Sequence, residues 1–229
     1  DYPFREIIRE DDKELFIHIP VSPEADFLDA KGFNHSLSQL GIQVSTGPVV
    51  DFRMKDHLRA MPEAGTVPLL YPCHFKGQSI QWPIENGKKP NAILNNQNTK
   101  KWLYPNGFYT VVRRFSSKEE RRRIVASVVD PAAFGEAEKL GLENHLNVFH
   151  CDKKPLLETL ARGLSVFLNS TSVDGNFRRF SGHTQVNATD LRLMKYPSRK
   201  ALIDLGKWAI KQKELTQDMI DEEMERISE

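Results

Sequence analysis

Apolar and polar positions divide the chain into two regimes. From Lys154 onward, Leu157, Leu160, Ala161, Leu164, Phe167 and Leu168 recur at spacings of three and four, which predicts a helix with one buried face. Further helices are predicted over 172–180, 188–195, 199–211 and 216–227, the last amphipathic through Met219, Ile220, Met224 and Ile227. Before Lys154 the pattern is one of short β-branched and aromatic runs separated by Gly, Pro and Asn. ELFIHIP (14–20), VPLLYP (67–72), SIQWP (79–83), GFYTVVRRF (107–115), RRRIVASVVD (121–130) and NHLNVFH (144–150) read as strands, with SSKEE (116–120) as the turn of a hairpin. SLSQLG (36–41) predicts a short helix ending at Gly41, Gly47-Pro48 a turn, and the Asn-rich stretch 85–101 a loop. The expected fold class is α+β: a mixed, mostly antiparallel sheet with a hairpin, followed by a helical C-terminal part.

Composition narrows the function classes. With 229 residues, 39% hydrophobic and 28% charged, the chain is long enough for one main domain around a single core. It holds no apolar run of membrane-spanning length, and its first residues, DYPFREIIREDDKE, are charged where a secretion signal would be apolar; a soluble, cytoplasmic protein with no membrane partner is expected. Cys73 and Cys151 are remote from one another and outside any C-x-x-C, so they read as buried thiols rather than a disulfide or zinc site. Net charge is +1, but residues 214–229 hold seven acidic side chains against Arg226, leaving a net +7 on residues 1–213. A basic body with an acidic tail is compatible with a polyanionic partner.

The sequence also excludes chemistries. It contains no G-x-G or G-x-x-x-x-G-K turn for a nucleotide or S-adenosylmethionine, and no Pro-Pro of the kind that holds a flipped adenine for amino-methylation. Asp11-Lys13, Asp29-Lys31 and Asp152-Lys154 form D-x-K triplets, as chance provides in so charged a chain, and the seven histidines form no metal-binding pattern. No catalytic residue, metal or cofactor is assigned to this chain.

The stretch 168–197, LNSTSVDGNFRRFSGHTQVNATDLRLMKYP, joins a long helix ending in L-N-S, an amphipathic helix, a Gly-rich polar loop and a short helix running into Tyr-Pro. TGPVVDFR (46–53), GTVPLLYPCHFKG (65–77), RRFSSKEERRRIVASVVDP (113–131) and ENHLNVFH (143–150) precede it. These blocks, in this order, resemble the C-terminal target-recognition domain of N6-adenine DNA methyltransferases of restriction-modification systems, the TaqI-methylase-like or gamma class. The resemblance implies a module that grips double-stranded DNA while a separate N-terminal catalytic domain of the same bacterial or archaeal protein binds S-adenosylmethionine and methylates adenine. It implies a division into a strand or linker from that catalytic domain (1–21), a DNA-binding domain (22–205) and an acidic amphipathic helix (206–229). A type I specificity subunit, or the recognition domain of a fused endonuclease and methylase, remains an alternative.

Candidate DNA contacts follow from residue type and from the resemblance. His183, Thr184, Gln185 and Asn187 carry donors and acceptors suited to base edges, although Asn187 also stands where a helix N-cap would. Arg113, Arg114, Arg122 and Arg123 flank the predicted hairpin turn, where a phosphate clamp and a solvated edge compete as readings. Arg178 and Arg179 lie beside the polar loop. The resemblance adds Arg53, His74 and Lys76. Trp82 and Trp102 read as core.

Overall fold

A computed structural model describes residues 32–77, 79–116, 119–180 and 184–227. The predicted strand at 14–20, the linker 1–21 and His183 lie outside them. The described strands are β1 (Gln43–Thr46), β2 (Leu58–Arg59), β3 (Thr66–Leu70), β4 (Phe75–Lys76), β5 (Ser79–Ile80), β6 (Ala92–Leu94), β7 (Leu103–Pro105), β8 (Tyr109–Arg113), β9 (Ala126–Val129), β10 (Lys139–Leu142) and β11 (Leu146–His150). The helices are α1 (Glu158–Leu168), α2 (Thr171–Phe180), α3 (Ala188–Leu193), α4 (Arg199–Ile210) and α5 (Gln217–Arg226), the last four each starting within one residue of expectation. The α+β class is as expected: mixed and antiparallel sheets followed by helices.

Two sheets form the body. A four-stranded antiparallel sheet has the order β1-β11-β8-β9, with Val111 opposite Val148. A five-stranded sheet has the order β2-β6-β3-β10-β7, in which only β3 and β10 run parallel. The pleat sends alternate residues of the first sheet to opposite layers. Val44, Val112, Ala126, Val128 and Phe149 pack against α1 and the other helices, whereas Tyr109, Val111, Val129, Leu146 and Val148 pack on Leu70, Tyr104, Leu140 and Leu142 of the second sheet. The result is three layers: helices, sheet, sheet. Burying a side chain such as Val148 or Phe149 contributes roughly 1.5–3 kcal/mol.

Several expectations required correction. The stretch 85–101 contains β6, an interior strand whose three residues are too few to show alternation and are framed by Asn residues. Residues 121–125 do not continue β9, because the buried Asp174 carboxylate captures the backbone N–H groups of Arg123 and Ile124 at 2.7 and 2.8 Å and turns them away from the ladder. Residues 37–41 form a hydrogen-bonded turn closed by Gly41 at φ +69°, not a helix. Both cysteines are exposed: Cys73 lies in a 3-10 turn and Cys151 in the tight turn after β11, so neither enters the core.

The helical layer is locked by two glycines. A methyl added at Gly163 of α1 would lie 1.7 Å from the Leu202 carbonyl oxygen, and one at Gly206 of α4 would lie 1.7 Å from that of Thr159. The two helices therefore cross backbone to backbone. Glycine inside a helix ordinarily costs about 0.5–1 kcal/mol relative to alanine, but here overpacking reverses the sign. Gly163→Ala is expected to destabilise the protein by about 2–3 kcal/mol. Gly175→Ala on α2, where nothing lies within 4 Å, should stabilise it by up to about 1 kcal/mol. Urea midpoints of the two variants check the pair, and equal shifts would contradict the close crossing.

Candidate functional site

A cavity of about 290 Å³ opens where the two sheets end, lined by Tyr71, Pro72, Cys73, Lys89, Arg113, Phe115 and His145. Tyr71 follows β3, Arg113 closes β8, and His145 precedes β11, so each lining segment leaves its strand at the same end of the inter-sheet layer.

A buried histidine shapes the first wall. The 3-10 turn Pro72–His74 folds back so that the Tyr71 N–H donates to His74 Nδ1 at 2.9 Å, while His74 Nε2 meets Asn91 Oδ1 at 3.0 Å. Asn91, itself buried, also accepts from the Ile84 N–H at 2.8 Å and donates to the Ala60 and Ile84 carbonyls at 2.7 and 3.0 Å. This network fixes the Tyr71 ring inside. Lys89 then reaches over it, 5.0 Å from the ring centroid, and donates to Asp51 Oδ2 at 2.8 Å. That bond holds the Asp51 carboxyl below its usual range and pushes the Lys89 ammonium up.

Cations and an exposed ring form the second wall. Arg113 pairs with Glu120. The Arg114 guanidinium lies 5.7 Å from the Phe115 centroid and donates to the Asn144 carbonyl at 3.4 Å. Phe115, 43% exposed, packs at 4.9 Å on His145, which is bound through Nδ1 and its backbone N–H to the buried Glu143 carboxylate. Two polar atoms on this cavity's lining residues are buried without a hydrogen-bond partner among the described residues: the Tyr71 hydroxyl and Arg113 Nε. Burial raises the Tyr71 phenol far above its usual range, so it stays protonated.

The polar loop borders this wall. The Val186 N–H donates to the Arg114 carbonyl at 2.7 Å, Phe115 forms an antiparallel bridge with Gln185, and Asn147 donates to the Val186 carbonyl at 2.6 Å. Arg113, Arg114, exposed Thr184 and half-buried Gln185 are thereby gathered in one place.

Other candidates are placed elsewhere. His74 and Arg123 are each only 1% exposed; Arg123 donates to Ser116 Oγ at 3.2 Å and lies over Phe177, so both are structural rather than presented to a duplex. Arg122 reaches inward to Gln217 Oε1 at 2.7 Å and the Ser170 carbonyl at 2.8 Å, tying α2 to α5. Arg178 pairs with Asp174 at 2.8 Å and donates to the Glu120 carbonyl at 2.8 Å; it remains exposed, and Arg179 is half-buried. Asn187 is the N-cap of α3, its N–H donating to Asp190 at 3.0 Å. Arg53 is exposed on the 3-10 turn Asp51–Arg53, and Lys76 is exposed at the end of β4. Trp82 and Trp102 are half-buried, Trp82 against Phe134 at 5.4 Å. Among the described residues no group of three His, Cys, Asp or Glu could hold a metal.

Sequence reasoning overlooked Lys89, Phe115, Tyr71 and His145. Phe115 alone left a trace: it follows Tyr109, Val111 and Arg113 in parity yet stands past two arginines, at the open end of its strand.

No protein-family profile matches the chain. It is 53% identical over 228 residues to type II methyltransferase M.BsuBI of Bacillus subtilis, an alignment covering 99% of this chain and 45% of that protein. It is also 48% identical over 208 residues to type II methyltransferase M.PstI of Providencia stuartii, covering 90% of this chain and 41% of that protein. The relatives are type II methyltransferases. This chain spans less than half the length of either one.

Two tests address the site's construction. An unpartnered buried hydroxyl costs about 1–3 kcal/mol, so Tyr71→Phe should raise stability by about 1 kcal/mol in chemical denaturation. A loss of that size would mean the hydroxyl has a partner.

The second test concerns pH. Burial lowers the proton affinity of His74 and likewise of His150, whose Nδ1 accepts the Lys153 N–H at 3.1 Å. Both rings are therefore neutral with the proton on Nε2. The unfolded rings titrate near 6.5, so below that pH the unfolded chain binds more protons. Their stabilisation is complete above pH 6.5 and is lost as pH falls toward the lower folded values. Titration of the ring nitrogen shifts by NMR should place both midpoints below 6.5; a midpoint at or above 6.5 in either would refute this.

Proposed function

We propose that this chain is the DNA target-recognition module of an adenine-specific methyltransferase of a restriction-modification system. In the whole protein a separate N-terminal domain would bind S-adenosylmethionine and transfer its methyl group to adenine N6. The present residues would bind double-stranded DNA and select its sequence. The observation that carries the reading is the gathering of Arg113, Arg114, Thr184 and Gln185 around the exposed Phe115 at one end of the sheets. Cations there offer salt-sensitive attraction to phosphates, and Thr184 and Gln185 offer side-chain donors and acceptors for base edges. Similarity to under half of two type II methyltransferases supports a module rather than a complete enzyme. Arg53, Lys76, Arg178 and Arg179 remain candidate phosphate contacts, while the expected boundary between residues 205 and 206 falls inside α4, and α5 packs on the core through Ile220 and Met224 and on the start of α2 through Thr171 and Asp221.

The test is anisotropy of labelled duplexes from a randomised pool, with sequencing of the bound fraction. Wild-type protein should enrich a defined sequence and lose affinity steeply with salt. Arg114→Ala should weaken all duplexes alike and lower the salt slope by about 1, whereas Gln185→Ala should relax preference at one position by about 1–3 kcal/mol. Absence of salt-dependent binding at low ionic strength would refute the reading.

A further inference from the structure

His145 is anchored on one side and open on the other. It precedes β11 at the open end of the sheets, and the side chain of Glu143, two residues earlier, has no exposed surface. One carboxylate oxygen, Oε2, closes the turn by accepting the His145 N–H at 2.9 Å. The other, Oε1, lies 2.5 Å from His145 Nδ1. Enclosing a carboxylate is costly unless its oxygens are bonded, and closing the turn occupies only one of them. The second is given to a ring whose side chain is 41% exposed. Phe115 packs on the same ring at 4.9 Å, so its position and its plane are both fixed.

A carboxylate can only accept, so it places the proton of a neutral imidazole on Nδ1 and leaves Nε2 as a bare acceptor. His145 Nε2 has no hydrogen-bond partner among the described residues and, unlike the Tyr71 hydroxyl, is not sealed from solvent. Besides Glu143, the charged groups around the ring are Arg113 with Glu120, Arg114 beside Phe115, and the Lys89–Asp51 pair across the cavity. Lys89, Arg113 and Arg114 can only donate, which suits phosphates and the acceptor edge of guanine. The exocyclic amino groups of adenine and cytosine need an acceptor instead. Phe115 is also bridged to Gln185, so the ring borders the surface proposed to meet the duplex. We propose that His145 Nε2 accepts a hydrogen bond from the amino group of an adenine or a cytosine in the major groove of the bound duplex, with Glu143 as the positioning residue that sets the tautomer. This rests on the DNA-binding reading.

The probe is the duplex that wild-type protein enriches most strongly from the randomised pool, with copies in which one adenine at a time is replaced by purine, or one cytosine by 2-pyrimidinone. Each replacement removes only the amino group. For wild-type protein one of them should weaken binding about fivefold or more, and which one does so separates adenine from cytosine. His145→Asn keeps a donor for the Glu143 carboxylate but removes Nε2. It should bind the intact duplex as weakly as wild type binds that copy, with no further loss on the replacement. Glu143→Gln should act through the ring. Its amide oxygen is needed by the His145 N–H, so its NH2 group faces Nδ1 and moves the ring proton to Nε2. The discrimination should then disappear, and ring nitrogen shifts in NMR should show the exchanged tautomer, a change that a purely structural role does not produce. In wild-type protein the discrimination should fade with falling pH in step with the titration of the His145 ring, because a protonated Nε2 cannot accept. Thermal melting checks that both variants fold, and the pH profile needs no variant. The proposal is overturned if no amino group matters to wild-type protein, if its removal costs wild type and His145→Asn equally, or if Glu143→Gln exchanges the tautomer and keeps the discrimination. Absence of any enriched duplex would instead sink the DNA-binding reading, and this inference with it.

Discussion

The structure depends on side chains that satisfy the backbone of its irregular connections. Short strands leave many N–H and C=O groups outside the ladders, and a buried one without a partner is costly. Asn169 answers this by imitating a strand: its amide accepts from the Ala126 N–H at 3.0 Å and donates to the Ala126 carbonyl at 2.8 Å. Asp174 does the same for two consecutive N–H groups, and Asn91 for two separate segments, at Ala60 and Ile84. Removing any one of these would strand several backbone groups at once, because each serves segments distant in sequence.

That arrangement also decides where the site lies. The inter-sheet layer is filled along its length by Tyr109, Val111, Leu142 and Val148, but at one end the strands stop and the chain departs in irregular turns. Asn91 and His74 hold one turn, Glu143 holds another, and Asn147 anchors the polar loop. The gap between them is the cavity. Its walls are loops, yet each loop is pinned by a buried polar side chain, which gives them the rigidity that recognition of a shaped partner requires.

Periodicity made the helical half legible: five amphipathic segments stand out because a buried stripe repeats over ten or so residues. The sheet half was less legible. Ala92–Leu94 is too short to show a period of two, and the arginines at 121–123 read as part of a hairpin because the carboxylate that bends them, Asp174, is some 50 residues away in sequence. Residue type and position along the predicted hairpin and loop led to Arg113, Arg114, Thr184 and Gln185, which the fold brings together. Neither could distinguish these from His74 and Arg123, since nothing in residue type tells a buried imidazole or guanidinium from an exposed one. Tyr71 and Lys89 were hidden for a related reason: their roles arise from the meeting of two loops 18 residues apart.

The glycine crossing of α1 and α4 bears on how this scaffold yields. A crossing lined by leucines can soften through rotamer exchange, passing through many arrangements of similar energy. Where carbonyl meets Cα directly, as at Gly163 and Gly206, no side-chain layer exists to rearrange. The contact is either made or absent. Since Thr110 of β8 also donates to the Ala161 carbonyl of α1 at 2.8 Å, parting the helices would disturb the central sheet in the same event. The helices and the four-stranded sheet are thus joined into one cooperative unit, which opens as a whole or not at all.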